Sequence, residues 1–163
     1  MLHSVVPLRQ VVKKTLTKSA FSTAKKVTVS PYLYFYGNAA QARDFYAEKF
    51  NGRVDYSTCF KDSEGACSDL PDERKNWIMH ACVTFGDNQI MMCDDASNPV
   101  HTVGTNVTLC VSYDDVDEMK KVFNGLAEGG TIQVPLAKQF WDATYGKLQD
   151  KFGVIWAFNC DHK

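Results

Sequence analysis

The first 29 residues contain no aspartate or glutamate. No run of about 18 apolar residues occurs anywhere in the chain, which excludes an ordinary membrane-spanning helix. Six cysteines are present, but no two are spaced C-x-x-C, so neither a zinc ribbon nor a thioredoxin-type redox motif is supported. The ten glycines are dispersed, and none forms a Gly-x-Gly loop between a strand and a helix. A dinucleotide- or nucleotide-type cofactor loop is therefore missing. A Walker loop, a G-x-S-x-G elbow and H-E-x-x-H are missing as well.

What is present is an ordinary globular composition, 45% hydrophobic and 23% charged over 163 residues. That length suits one compact domain. The net charge of -1 conceals an asymmetry. Arg9, Lys13, Lys14, Lys18, Lys25 and Lys26 all lie in the acid-free start. The remainder holds 12 Lys+Arg against 19 Asp+Glu, a body near -7. Such a body argues against nucleic acid as a main partner on electrostatic grounds. Residues 1–28, basic and rich in Ser and Thr, have the composition of an organellar transit peptide, which predicts a mitochondrial or related address. A disordered basic tail is the alternative.

Residues 31–38, "PYLYFYGN", alternate Tyr32, Tyr34 and Tyr36 with Leu33 and Phe35. In a strand this places tyrosines on one face and hydrocarbon on the other. A helix is predicted over about 39–50, where Ala42, Phe45, Tyr46 and Phe50 recur at helical spacing, with Asn38 as N-cap. Strands follow at 53–60, 77–85 and 89–95, the last two joined by a Gly86-Asp87-Asn88 turn. The same order then restarts at residue 106. A strand leads to an acidic turn at Asp114-Asp115 and a helix faced by Val116, Met119, Phe123, Leu126 and Ala127. Later strands are read at about 131–134, 138–141 and 153–160. Gly146 and Gly153 read as turns. Two strand–helix–strand–strand–strand units, about 29–95 and 105–160, thus form an internal repeat offset by about 76 residues. The fold class is α+β, and residues 29–163 form its one domain.

Three ordered blocks carry a family likeness: "SPYLYFYGNAAQARDFYAEKFNG", "WIMHACVTFGDNQIMMCDD" and "FWDATYGKLQDKFGVIWAFN". With them the chain resembles the vicinal-oxygen-chelate superfamily (glyoxalase I, bleomycin-resistance proteins, extradiol dioxygenases), in its PhnB-like branch. The resemblance implies paired βαβββ modules that form a curled mixed sheet with a cleft. It also implies a homodimer. Superfamily members hold a divalent metal in the cleft through His, Gln or Glu. Here the corresponding positions fall at Ser30, Asn106, Met91 and Ala157, a poor donor set for zinc, iron or manganese. Cys93 and Asp94 are the only better ligands nearby. No metal or other cofactor is therefore expected. Some labels for this branch suggest a quinone methyltransferase, which the missing glycine loop does not support.

His80 is the one histidine inside a strand, and the branch carries a His at this place. It is the best catalytic candidate, as a general base or ligand orienter. Its alternative is a pocket-wall histidine bonded to backbone. Tyr32, Tyr34, His80, Trp141 and Tyr145 are the candidate ligand-binding residues, because clefts combine apolar walls with a few placed polar groups. Phe152 and Trp156 fit a core better. Cys82, Cys93 and Cys110 read as buried thiols, and Cys59 and Cys67 could pair. Three functions stay open: a metal-free binder of an unidentified small molecule, a metal-dependent lyase, isomerase or dioxygenase with an altered ligand set, and a non-catalytic interaction module.

Overall fold

The computed structural model describes residues 28–63, 65, 69–97 and 102–162. Segment 1–27 and Cys67, with which Cys59 could pair, lie outside the described residues. The first module runs β1 (Tyr32–Phe35), α1 (Ala39–Lys49), β2 (Arg53–Cys59), β3 (Ile78–Phe85) and β4 (Asn88–Asp94). The second runs β5 (Leu109–Ser112), α2 (Val116–Ala127), β6 (Thr131–Lys138), β7 (Ala143–Gln149) and β8 (Ile155–Asp161). Each module forms a four-stranded mixed sheet. The orders are β1-β4-β3-β2 and β5-β8-β7-β6, and the first strand pairs parallel to the last in both.

β6 and β7 depart from expectation. β6 continues through Pro135 to Lys138, and a turn at 139–142 occupies most of the expected strand at 138–141. Proline reads as a stop, but β6 is an edge strand with two register shifts, where a missing N–H is tolerated. Gly146 is no turn residue; it lies in the middle of β7. A Cβ there would come within 2.8 Å of Leu136 and 2.9 Å of Phe123 under α2. The position that should display β7's buried alternation is thus a glycine, and the strand is hidden in the sequence.

The two helices start differently. Asp115 caps α2 locally, accepting from the N–H groups of Asp117 and Glu118 at 2.8 Å each. Asn38 does not cap α1; its side chain accepts from the N–H of Tyr36 instead. The carboxylate of Asp94, at the end of β4, takes that role. It accepts from Gly37 N–H at 2.7 Å, Ala39 N–H at 3.0 Å and Ile78 N–H at 2.9 Å. Gly37 supplies the turn with a φ of 81°, and a Cβ on it would meet the Trp77 ring at 3.0 Å.

One core joins the modules on their helix-bearing side. Phe35, Ala42, Phe45 and Tyr46 bury the apolar stripe of α1; Met119, Val122, Phe123 and Leu126 do so for α2. Phe152, from the β7–β8 turn, meets Phe35, Phe45 and Tyr46 edge-on at 5.5–6.0 Å between centroids. Asp150 binds the modules together. Its carboxylate accepts from Tyr46 Oη at 2.7 Å, Trp156 Nε1 at 2.8 Å, and the N–H groups of Phe152 and Val154.

Burial, then the Asp150 charge, hold the Tyr46 phenol well above its ordinary value of 10.0. Above that pH the unfolded chain releases this proton while the folded chain keeps it. Stability should then fall by about 1.4 kcal/mol per pH unit, until the folded phenol itself titrates. Urea midpoints at pH 9 and 11 test this. Tyr46→Phe should lose less stability over that interval than the parent chain, and equal losses would contradict it.

Candidate functional site

The sheet faces turned away from the helices are open. On the first sheet, strand parity places Tyr32 and Tyr34 (β1), Met91 and Cys93 (β4), His80 and Cys82 (β3) and Tyr56 (β2) on one such face. Leu33 and Phe35 point the other way, into the core, as their alternation predicts. Four rings cover the open face. Tyr34 lies 5.2 Å from Tyr32, Tyr32 lies 5.7 Å from His80, and His80 lies 5.8 Å from Tyr56. Tyr32, Tyr34 and Tyr56 are 38%, 58% and 53% exposed. Tyr32 Oη and His80 Nδ1 share a hydrogen bond of 3.0 Å. Burial, then a hydrogen bond with Cys93, raise the Tyr32 phenol far above its ordinary value. Burial likewise raises the Cys93 thiol, against the opposing effect of Tyr32. Both groups are therefore neutral near pH 7.

Tyr32, Tyr34 and His80 thus come together. Tyr56 joins them without having been singled out in the sequence; its signal was its place in a strand-like run. Tyr36 leaves the group, because β1 ends before it. It packs against Trp77 at 4.9 Å, and its hydroxyl accepts from the Arg74 guanidinium at 2.7 Å. Trp141 and Tyr145 form a second group on the other sheet, with centroids 5.9 Å apart and the 95%-exposed Phe140 beside Trp141. Among the described residues, no ring contact or hydrogen bond joins this group to the first. Cys82 and Cys93 are buried as expected, but Cys110 is exposed, since it sits on the outward face of edge strand β5.

A groove of about 690 Å³ opens between the start of β1, the β3–β4 hairpin and β5. Ser30, Gln89, Ile90, Leu109, Val111 and Trp156 line it, and none of the five candidate residues does.

The metal positions can be checked against strand register. Leu33 pairs with Met92, and its repeat equivalent Leu109 pairs with Trp156. Ala157 therefore corresponds to Cys93 rather than to Met91. The corrected set, Ser30, Asn106, Cys93 and Ala157, still offers only one good donor, the Cys93 thiol. Asp94 is committed to three backbone N–H groups. Among the described residues no three His, Cys, Asp or Glu side chains gather around one point. The donor set does not fit the superfamily's divalent metal.

Two open mixed sheets, each backed by one helix and repeated within one chain, define a protein of the glyoxalase/bleomycin-resistance/dioxygenase type. Residues 26–158 match the model of the family described as 3-demethylubiquinone-9 3-methyltransferase, and the chain belongs to that PhnB-like family. It is 31% identical over 138 residues to Protein YjdN of Escherichia coli (strain K12), across 80% of this chain and 93% of that protein. The solved structure of protein PA1353 from Pseudomonas aeruginosa is 32% identical, with a TM-score of 0.73 over 85% of this chain and 100% of that one. A structure from Bacillus cereus, described as a putative 3-demethylubiquinone-9 3-methyltransferase, PhnB protein, is 25% identical, with a TM-score of 0.70 over 82% and 99% of the two chains.

Proposed function

We propose that this chain binds a small molecule against the aromatic face of its first sheet, without a metal. The observation that carries the reading is the open run of Tyr34, Tyr32, His80 and Tyr56 on one sheet face. Aromatic rings with polar edges offer both stacking area and orientation to a ligand.

A thermal-shift screen of small aromatic compounds tests the reading. A true ligand at about 100 times its Kd should raise Tm by on the order of 5–10 °C. Tyr34→Ser should abolish that rise while leaving the unliganded Tm within about 2 °C, because Tyr34 is exposed. No response from any compound, or an undiminished response in the variant, would contradict it.

Association with a second copy belongs to the same reading. Each open sheet leaves two unpaired edges, and Val54, Ile132, Val134, Phe140 and Trp141 are exposed apolar groups. Sedimentation should give twice the 18.3 kDa chain mass, and a monomer at micromolar concentration would refute the dimer. The acid-free segment 1–28 supports a mitochondrial address, which fluorescence of a fusion to that segment would reveal or deny.

A further inference from the structure

One hydrogen bond crosses the aromatic face, and its proton order sets what the site can recognise. Tyr32 Oη lies 3.0 Å from His80 Nδ1. A phenol O–H is a good donor, and an unprotonated imidazole nitrogen is a better acceptor than a phenol oxygen. The stronger order is therefore Tyr32 O–H donating to His80 Nδ1. Nδ1 then accepts, and the neutral imidazole carries its proton on Nε2. Among the described residues Nε2 makes no hydrogen bond.

The rings themselves limit the ligand's shape. Successive planes along Tyr34, Tyr32, His80 and Tyr56 are inclined by 39°, 28° and 42°. No neighbouring pair is near perpendicular, so these rings do not form the steep walls that enclose a compact cation. The face suits a flat ring system laid against it.

We infer that the ligand is a flat aromatic molecule with an oxygen acceptor on its edge, and that His80 meets this oxygen through Nε2–H. This rests on the reading of the face as a binding site. In this role His80 is a donor rather than the general base its position in the strand first suggested. Tyr32 is a positioning residue that fixes the histidine's tautomer.

The test uses the full chain and three probes of similar size: 2-acetylnaphthalene, 2-ethylnaphthalene and (2-naphthyl)trimethylammonium. Long-range ¹⁵N–¹H correlation spectra of the histidine rings should show His80 as the Nε2–H tautomer. Tyr32→Phe should convert it to a mixture, a change that loss of packing alone would not produce. The acetyl probe should bind at least about tenfold tighter than the ethyl probe, the gain of one well-made hydrogen bond. His80→Phe should erase that preference. An Nδ1–H tautomer, equal binding of the acetyl and ethyl probes, or tightest binding by the ammonium probe would overturn the inference. Binding of the ethyl probe without preference sinks this inference alone. Failure of all three probes to bind sinks the underlying reading with it.

Discussion

Asp150→Ala is expected to destabilise the protein by about 3–5 kcal/mol, because it strands several buried donors at once. The carboxylate is 3% exposed and accepts from four donors. Removing it leaves the Tyr46 hydroxyl and the Trp156 indole N–H buried without an acceptor. Each such orphan costs about 1–3 kcal/mol. Asp150→Asn should do little better. One oxygen accepts from the two backbone N–H groups and the other from Tyr46 and Trp156, so an amide nitrogen would face donors in either orientation. Because Tyr46 belongs to α1 and Asp150 to the second module, the variant should also lose cooperativity between the modules. Urea unfolding followed by tryptophan fluorescence and by far-UV circular dichroism should give midpoints that coincide in the parent chain and separate in the variant. A loss under 1 kcal/mol with coincident midpoints would contradict the role given to Asp150.

Asp94→Ala is the second large effect, about 2–6 kcal/mol, because it leaves the buried Ala39 and Ile78 N–H groups without an acceptor at about 1–3 kcal/mol each. Asp94 holds three backbone N–H groups that no other described side chain serves, and it does so from the far end of the module's sequence. Here the damage should be local. Amide hydrogen exchange should accelerate first at Gly37 and Ala39, and at Ile78, before it does so in α2. Unchanged protection at those three amides would show that another group caps α1.

These two carboxylates also show where reading the sequence stops. Alternation in "PYLYFY" was enough to separate Leu33 and Phe35 from the tyrosines, because a period of two survives in any strand with one buried face. The helices were legible from apolar spacing, and the repeat followed from the order of elements. Asp94 and Asp150 were not legible, because a buried carboxylate looks like any surface acid until its donors arrive from elsewhere in the chain. The expected Asn38 cap failed for that reason: a long-range carboxylate displaced a local one. In the second module the obstacles were Pro135 in an edge strand and Gly146 at a buried position. Each looks like a break, and each is permitted by a neighbour that the sequence does not display.

For the site, Tyr32, Tyr34 and His80 were found from parity and from the single in-strand histidine. Tyr56 was missed because β2 carries a register shift beside it, so its face could not be counted from the strand's start. Trp141 and Tyr145 stood out as aromatics in a cluster, yet sequence clustering says nothing about which sheet they occupy.

The most direct test of the account is a map of ligand contact on the full-length chain. Amide and aromatic chemical shifts should be followed during titration with 2-acetylnaphthalene. The account predicts perturbations centred on Tyr32, Tyr34, Tyr56 and His80. Perturbations confined to the groove between β1 and β5, around Ile90, Leu109 and Val111, or no saturable change at all, would contradict it.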